Sequence, residues 1–390
     1  MPPEVLEIVR TLEAAGHEAW CVGGALRDAI LGRPHADYDI ATAATPEQVL
    51  ALFRRTVPVG LRFGTVGVLD PNGRLHEVTT FRRDVATDGR HAEVAYGVSL
   101  EDDLARRDFT VNAIAWHPVR REWRDPFAGT ADLTAGLIRA VGDPAARFRE
   151  DYLRVLRALR FAARLDFAIE PATWEAACAA ATGLDHLSAE RVRDEWAKGL
   201  ATAVRLDRFV GLWHASGAAR AWLPELAAAD APVATSLSAH DPGPPRDPVL
   251  LTALLCADPA GVLSRLRASN AEIARARAIA AGPAAPAGAG PVEVRRWLAA
   301  VGSAADDHLA GWRLAHGTEA PWAAVVAAVR ARGEPLARGD LAVSGADLAE
   351  AGIPPGPAVG RVLEALLGLV LEDPGLNRRD VLLARARELA

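Results

Sequence analysis

Two aspartates stand two positions apart in the segment ADYDIAT, Asp37 and Asp39. Their neighbours Tyr38, Ile40 and Ala41 are typical of a strand, and side chains two apart on a strand point to the same face. Two carboxylates held side by side repel each other unless a positive charge lies between them. We therefore expect magnesium here, because Mg2+ is bound by a few carboxylate oxygens while substrate phosphates complete its shell.

The residues before this pair indicate a phosphate site. The predicted strand EAWCV runs into Gly23-Gly24, and a helix follows with Arg27 in its first turn. Backbone amides of a glycine turn at a helix N-terminus favour a bound phosphate. Glu77, in the predicted strand LHEVTTF, would join the two aspartates if the two strands are neighbours. Such acids suit a two-metal phosphoryl transfer, although an isolated Asp-x-Asp is more often a surface turn and Glu77 alone could equally face solvent.

Local signals predict the elements that carry these residues. A helix is expected over residues 3–15, ending at Gly16. Thr45 followed by Pro46 predicts an N-capped helix start. The run Asp70-Pro71-Asn72-Gly73 predicts a hairpin turn between GTVGVL and LHEVTTF. The first ~140 residues are therefore predicted to form a small mixed sheet with flanking helices.

After Gly142 the strand signals largely vanish, and Ala, Leu and Arg recur at helical spacing to the end of the chain. Proline-rich and glycine-rich runs near 231–248 and 281–291 are predicted loops. The fold class predicted from this pattern is α+β, a mixed-sheet head followed by helices.

Composition excludes several classes of protein. The net charge is −6, so a nucleic-acid partner would need a local basic face. Cys21, Cys178 and Cys256 are far apart, which gives no sign of a disulfide framework or a zinc ribbon. No apolar stretch is long enough for a membrane span, and we expect a cytoplasmic protein.

One charged helix face stands out near residue 150. On a helical wheel, Arg147, Glu150, Arg154 and Arg157 share one side, and Asp151 lies at its edge. The opposite side is occupied by Tyr152, Leu156, Leu159 and Ala163. A charged face of this kind is ordinarily solvated surface.

Four stretches in order resemble the successive motifs of the bacterial class II tRNA nucleotidyltransferases and their poly(A) polymerase relatives. They are CVGGALRDAILGRPHADYDIAT, EVTTFR, ARRDFTVNAIA and the run from DPFAGTADLTAGL to LRFAARL, about residues 20 to 165. The resemblance implies a polymerase-beta-like nucleotidyltransferase head followed by an elongated, all-helical neck, body and tail. The implied boundaries are 1–140 for the catalytic head, 141–200 for the neck with its base-reading helix, 201–290 for the body and 291–390 for the tRNA-binding tail.

The resemblance also implies a role for each matched residue. Asp37 and Asp39 would be catalytic and metal-binding, with Glu77 in the strand associated with them. The implied nucleotide-binding residues are Gly24 and Arg27 for the triphosphate, Arg107, Asp108 and Asn112 for the sugar and phosphates, Asp151 and Arg154 for reading the base, and Arg157 and Arg160 near the nucleotide.

Elementary chemistry agrees with the base-reading role. An arginine donor beside an aspartate acceptor complements cytosine through N3 and the exocyclic amine, and adenine through N1 and N6. Guanine and uracil present the reverse pattern, and a wrong base would leave buried groups unpaired at about 1–3 kcal/mol per group. The selection of C and A over G and U is what a CCA end requires.

Two further segments carry weaker expectations. Residues 82–97 are predicted to be a mobile surface loop, and the resemblance implies a flexible element here that helps to switch the pocket from C to A. The segment SAERVRDEWAKGL resembles the family's last motif, with Glu190 and Arg191 near a helix start. On its own it is equally typical of a capped helix with exposed charges.

The function implied by the resemblance is template-independent, Mg2+-dependent addition or repair of the 3′-terminal CCA of tRNA from CTP and ATP. The helical part would bind the acceptor and TΨC arms mainly by shape and backbone contact. Three alternatives stay open at this point: an enzyme that adds only the terminal A, a poly(A) polymerase, and an RNA-binding protein with an inactive head.

Overall fold

The computed structural model describes residues 1–33, 38–87, 92–226, 235–237, 239–241 and 243–389. The chain divides into two compact units, Met1–Pro224 with Pro244–Arg246, and Glu225–Gly243 with Asp247–Ala390. The motifs described above fall within the range of the first unit. The finer division into four segments stays a prediction.

Short strands make up the N-terminal part of the first unit. Those in the described residues are β1 (Ala19–Val22), β2 (Asp39–Thr42), β3 (Thr56–Gly60), β4 (Thr65–Leu69), β5 (Leu75–Thr80), β6 (Arg82–Thr87), β7 (Ala92–Tyr96), β8 (Ala115–His117), β9 (Glu122–Arg124), β10 (Leu137–Ile138) and β11 (Ala168–Ile169). Among them, seven form one mixed sheet in the order β3-β4-β5-β2-β1-β8-β9. Strand β2 runs antiparallel to β1 and parallel to β5. The two acid-bearing strands are therefore neighbours, which was the condition for Glu77 to join the two aspartates.

Five helices accompany this sheet in the described residues: α1 (Pro3–Ala14), α2 (Gly24–Ile30), α3 (Pro46–Leu52), α4 (Leu100–Ala105) and α5 (Gly129–Ala135). Ile40 of β2 and Val78 of β5, which are register partners, are buried in one core with the apolar face of α1. The next residue, Ala41, points to the opposite face and joins a second core with Trp20 and Leu104. This alternation buries both faces of the central strands, as the period of two requires.

Two local predictions are confirmed. Thr45 accepts a hydrogen bond from the backbone of Gln48 while the Gln48 side chain accepts from Thr45 N, a complete capping box at the start of α3. Strands β4 and β5 pair antiparallel around the turn at Asp70–Gly73, with Leu69 opposite Leu75.

The loop predicted over residues 82–97 is wrong for the described part of that range. Strands β6 and β7 pair antiparallel there, and residues 88–91 lie outside the described residues. The loop was predicted because the composition of this segment is polar.

Helices continue the first unit: α6 (Pro144–Glu150), α7 (Leu153–Leu165), α8 (Pro171–Ala179), α9 (Ala189–Thr202), α10 (Leu206–Ala215) and α11 (Ala218–Trp222). Leu156, Leu159 and Ala163 of α7 are buried, as the helical wheel predicted. The wheel was wrong in treating residues 147–163 as one helix, because the backbone of Asp151 is extended and separates α6 from α7. This break turns the Asp151 side chain out of the helical repeat.

The regular elements in the described residues of the second unit are all helices. Its α-helices are Pro248–Leu255, Pro259–Arg265, Asn270–Ala281, Pro291–Val301, Ala305–His316, Ala323–Ala331, Gly345–Glu350, Pro357–Glu372 and Arg379–Leu389. Apolar side chains of these helices pack into several buried clusters, one of them built around Leu348, Leu366 and Leu382. Over the described parts of the chain, no helix combines the length and the apolar character that a bilayer crossing demands.

Candidate active site

The glycine turn after β1 lies directly against Asp39. Gly23 has φ +83, a conformation that L side chains rarely adopt, and helix α2 begins at the next residue, Gly24. A Cβ on Gly23 would lie 2.7 Å from Asp39 Oδ2. The turn therefore needs glycine for its backbone conformation and for the close approach of the carboxylate.

We expect Gly23→Ala to lower the nucleotide incorporation that the resemblance implies by about 100-fold, because displacing a reacting group by about 1 Å has an effect of that size. Gly16→Ala is the matched control, since Gly16 has a similar φ of +86 and open space where its Cβ would lie. Both variants place an alanine at a positive φ. Equal activity of the two variants in a steady-state assay would show that contact with Asp39 does not matter.

The three predicted catalytic acids, Asp37, Asp39 and Glu77, have different outcomes in the structure. The sheet fixes the position of Asp39. Asp39 pairs with Val22 across β1 and β2, at the edge of a cavity. Asp37 lies outside the described residues. Glu77 points to the same face of the sheet as Asp39, because their neighbours Val78 and Ile40 are register partners. However, Glu77 is exposed and is not among the described residues that line the cavity.

A cavity of about 500 Å³ lies within the first unit, beside the glycine turn. Arginine dominates its described lining: Arg27, Arg106, Arg107, Arg154, Arg157, Arg160, Arg164 and Arg191. The remaining lining residues are Gly23, Gly24, Asp39, Asp108, Asn112, Asp151, Leu153 and Phe161. All nine nucleotide-binding residues expected from the sequence therefore line one cavity. Its eight arginines against three aspartates make it suited to a polyanion.

Arg27 is held rigidly at the floor of the cavity. Its Nη1 donates to Asn112 Oδ1 at 2.7 Å and its Nε donates to Asp28 Oδ1 at 2.8 Å. Burial lowers the pKa of Arg27, and the charge of Asp28 opposes that shift. The guanidinium also lies 5.1 Å from the ring centre of Phe161. Arginine stays protonated at neutral pH, so these contacts present a fixed positive charge.

Among the three aspartates of the described cavity lining, Asp108 is the buried one. Its Oδ2 accepts from Arg157 Nε at 2.7 Å, and its Oδ1 accepts from Asn112 Nδ2 at 3.0 Å. Burial favours the neutral form of this carboxyl, but the charge of Arg157 and the hydrogen bonds together hold its pKa below its ordinary value. The same pair raises the pKa of Arg157. Asp108 therefore positions Arg157 and Asn112, and it also lines the cavity.

The depressed pKa of Asp108 predicts a pH dependence of stability. A carboxyl whose folded-state pKa lies below its unfolded value stabilises the fold above that unfolded value, and the contribution is lost as pH falls through the folded-state pKa. We expect Asp108→Asn to unfold at a lower urea concentration than the wild type near neutral pH. Its stability should also decline less steeply between about pH 5 and about pH 3. Parallel declines for the two proteins in urea titrations would contradict this assignment.

Three contacts of the cavity wall could not be predicted from the sequence. Glu195 of α9 is buried and accepts from Arg160 Nε, and one of its oxygens lies 3.9 Å from Arg157 Nη1. Phe161 has three guanidinium groups near its ring, with Arg160 Cζ at 4.2 Å. Arg164 donates to Asp28 Oδ2 at 2.8 Å. The one available signal was the helical spacing of four that separates Arg157 from Phe161 and Arg160 from Arg164 on α7.

The two expected base-reading residues stand at the junction of α6 and α7. Asp151 Oδ1 accepts from Leu153 N at 3.0 Å, so it pairs with the backbone N–H of the first residue of α7. Arg154 Nη1 donates to Glu150 Oε2 at 2.6 Å, and its Nη2 donates to the backbone oxygen of Arg106 at 3.1 Å. Both side chains line the cavity. The junction therefore presents a carboxylate and a guanidinium three residues apart, an acceptor and a donor for the edge of a planar ring.

Two family models match the first part of the chain. The model described as the poly A polymerase head domain matches residues 19–139. The model described as the probable RNA and SrmB- binding site of polymerase A matches residues 166–230. The first range contains the glycine turn, Asp39 and Asp108, while the second contains Glu195.

Curated relatives match about half of the chain. A CCA-adding enzyme of Anoxybacillus flavithermus is 46% identical over 197 residues, which is 50% of this chain and 49% of that protein. A CCA-adding enzyme of Streptococcus suis is 47% identical over 208 residues, 50% of this chain and 51% of its own length. The matched stretches thus span about half the length of these relatives.

A solved structure matches along the whole chain. The crystal structure of the Bacillus stearothermophilus CCA-adding enzyme in complex with CTP has a TM-score of 0.82 and 33% sequence identity. The match covers 100% of this chain and 98% of that one. The similarity to this structure therefore includes the helical second unit.

Proposed function

This chain belongs to the family of bacterial class II tRNA nucleotidyltransferases and poly(A) polymerases, and we propose that it adds or repairs the 3′-terminal CCA of tRNA. Its substrates would be CTP, ATP and tRNA, and its second product pyrophosphate. The observation that carries this proposal is a single cavity in which Asp39, an arginine cluster and the Asp151 and Arg154 pair come together.

The arginine cluster would bind the triphosphate. Gly24 begins helix α2, and Arg27 presents a buried, oriented charge beside it. Arg107 is held by Asp103, with Nη2 donating to its Oδ2 at 3.1 Å. Charge-assisted hydrogen bonds from such arginines suit phosphate oxygens. We propose that Arg107, Asp108 and Asn112 together fix the position of the sugar and the phosphates.

Asp151 and Arg154 would read the base. Cytosine and adenine each offer an amine donor beside a ring nitrogen acceptor, which match a carboxylate and a guanidinium. Uracil and guanine place a carbonyl oxygen opposite the carboxylate and an N–H opposite the guanidinium. We propose that Arg157 and Arg160 complete the wall beside this pair, braced by Asp108 and Glu195.

Members of this nucleotidyltransferase family are generally metal-dependent, and we propose Mg2+ for this chain. The residues fit that ion in part. Asp39 offers a carboxylate at the cavity edge, beside a turn that has no Cβ to block it. Within the described ranges no three His, Cys, Asp or Glu side chains cluster as a metal site, and Asp37 falls outside those ranges. We propose that Asp37 and Asp39 hold Mg2+, which would lower the pKa of the attacking hydroxyl and offset charge on the leaving group.

The proposed reaction is an in-line displacement at phosphorus. The terminal ribose 3′-oxygen of the RNA forms a bond to the α-phosphorus, the bond from that phosphorus to the β-phosphate oxygen breaks, and pyrophosphate leaves. The hydroxyl proton passes to a carboxylate or to water at the cavity edge. The chain's own contribution is positioning and charge: Asp39 faces the reacting phosphorus, and the arginines oppose the charge that develops on the leaving group.

The remaining expectations concern RNA and location. We propose that the helices after the catalytic part bind the acceptor and TΨC arms of tRNA through shape and backbone contacts. The matched RNA-binding model over residues 166–230 supports part of this proposal. Because tRNA and nucleoside triphosphates are cytoplasmic, we propose that the protein acts there.

A product assay tests the proposal. The purified chain is given Mg2+, CTP and ATP with two tRNA transcripts, one lacking the whole CCA and one lacking only the final A, and the 3′ ends are sequenced. We expect C, C and A to be added in order to the first transcript and a single A to the second, after which addition stops. Addition of A alone would identify an A-adding enzyme, a long A tract a poly(A) polymerase, and no addition an inactive head.

A further inference from the structure

The carboxylate of Asp151 is held at both of its oxygens. Oδ1 accepts a hydrogen bond from the backbone N–H of Leu153, two residues further along the chain. Oδ2 accepts from Arg191 Nη2 at 2.6 Å, and Arg191 lies 40 residues further along the chain, in the first turn of α9. The side chains of Asp151 and Arg191 are 23% and 32% exposed, so both reach the cavity. One local and one distant contact thus set the direction of this carboxylate.

The backbone conformation of Asp151 does not by itself fix the direction of its carboxylate. Asp151 has φ −155 and ψ 104, so it is extended between two helices and is not confined to the rotamers that a helix allows. The hydrogen bond from Leu153 N fixes the position of Oδ1, but the carboxylate can still rotate about that bond and move Oδ2. Arg191 supplies the second anchor, and it comes from a helix that packs against α7.

Arg154 is held by a different set of groups. Its guanidinium contacts Glu150 and the backbone oxygen of Arg106, and Glu150 Oε2 also accepts from Arg147 Nη1 at 2.9 Å. The two base-reading side chains therefore have separate supports. A change at Arg191 should disturb the acceptor and leave the donor in place.

We infer that Arg191 is a positioning residue that fixes the Asp151 carboxylate as the acceptor for an exocyclic amine, and so sets discrimination between amine-bearing and carbonyl-bearing bases. This inference rests on the proposed function. With Arg191 in place, cytosine and adenine meet an oriented acceptor, whereas uracil and guanine place a carbonyl oxygen against a fixed negative charge. Without Arg191 the carboxylate can turn, so the correct bases lose a hydrogen bond and the wrong bases lose a repulsion.

The first test compares single-nucleotide incorporation by Arg191→Gln with CTP and with UTP. We expect kcat/KM for CTP to fall about 10-fold, the effect of one lost hydrogen bond. The value for UTP should stay level or rise, so the CTP to UTP ratio falls by 10-fold or more. Arg191→Lys keeps a donor and should recover part of the ratio. Arg193→Gln is the matched control, because Arg193 lies on the same helix, pairs with Asp194 and is not among the cavity-lining residues.

A double-mutant cycle separates this role from a merely structural one. In an Asp151→Ala background, Arg191→Gln should cause no further change in the CTP to UTP ratio, because its target is gone. Equal losses for CTP and UTP, or an Arg191 effect that persists undiminished without Asp151, would overturn the inference. The proposed function is judged separately by the wild type: failure of the unmodified chain to add C or A refutes the function and is distinguishable from an unchanged ratio in the variant.

Folding is checked in the same set of proteins. The Asp151 and Arg191 pair is partly exposed, and exposed ion pairs contribute little to stability. We therefore expect far-UV circular dichroism and the thermal midpoint of Arg191→Gln to match those of Arg193→Gln. A fall in the CTP to UTP ratio with unchanged melting supports the positioning role, while loss of all activity together with loss of structure contradicts it.

Discussion

Asp39→Asn should reduce CTP incorporation by about 1,000-fold or more while tRNA affinity stays nearly unchanged. The substitution keeps the size of the side chain, which matters because Asp39 Oδ2 lies against the glycine turn. It removes the negative charge at the cavity edge. Metal-assisted stabilisation of the transition state is worth several kcal/mol, and about 4 kcal/mol corresponds to roughly 1,000-fold in rate.

Glu47→Gln is the control for that experiment. Glu47 is an exposed carboxylate in the first turn of α3 and does not line the cavity. Single-turnover rates and filter-binding affinities should be measured for both variants. Substantial incorporation by Asp39→Asn would remove this aspartate from the catalytic centre, whatever the behaviour of Asp37.

Base selection should collapse in Asp151→Asn. The amide replaces an acceptor-only carboxylate with a group that both accepts and donates, so it can pair with the amine of cytosine or with the carbonyl of uracil. We expect the CTP to UTP discrimination to fall by about 100-fold, which corresponds to roughly 3 kcal/mol. The measurement is kcat/KM for each nucleotide on a tRNA that lacks its CCA end.

The matched change for this second experiment is Asp194→Asn on α9. Its carboxylate is exposed, pairs with Arg193 and lies away from the cavity lining. This control should select nucleotides as the wild type does. If Asp151→Asn keeps the wild-type preference for CTP, the base is read by other residues and the role of the pair with Arg154 is wrong.

The sequence was sufficient for features that depend on neighbours along the chain. The capping box at Thr45 and the hairpin turn at Asp70–Gly73 each depend on a few consecutive residues, and both are present. The glycine turn after β1 was also predicted from consecutive residues. In the structure Gly23 takes a backbone conformation that other residues avoid. The α+β architecture is also confirmed. It was predicted from the hydrophobic periodicity, which changes from strand-like to helical near residue 142.

Contacts between distant segments could not be read in this way. Glu195 supports Arg160 from 35 residues away, and nothing in its helix distinguishes it from an exposed acid until the fold buries it. The sequence did not reveal the break at Asp151, because apolar and charged residues keep a helical spacing on both sides of it. The hairpin of β6 and β7 was missed because its polar composition resembles that of a loop.

The metal-binding assignment of Asp37 stays a prediction, and so does the catalytic role of Glu77. Asp37 lies outside the described residues. Glu77 shares a sheet face with Asp39 but is exposed and stands apart from the described cavity lining. Glu77→Gln should therefore affect incorporation much less than Asp39→Asn does, and comparable losses in the same single-turnover assay would give Glu77 a direct part in catalysis.

The most direct test of the account is a crystal structure of the whole chain with CTP and Mg2+. The account predicts the triphosphate against Gly24 and Arg27, the α-phosphorus facing Asp39, and the cytosine amine and N3 paired with Asp151 and Arg154. A nucleotide bound outside this cavity, or a cytosine edge that contacts neither Asp151 nor Arg154, would contradict it.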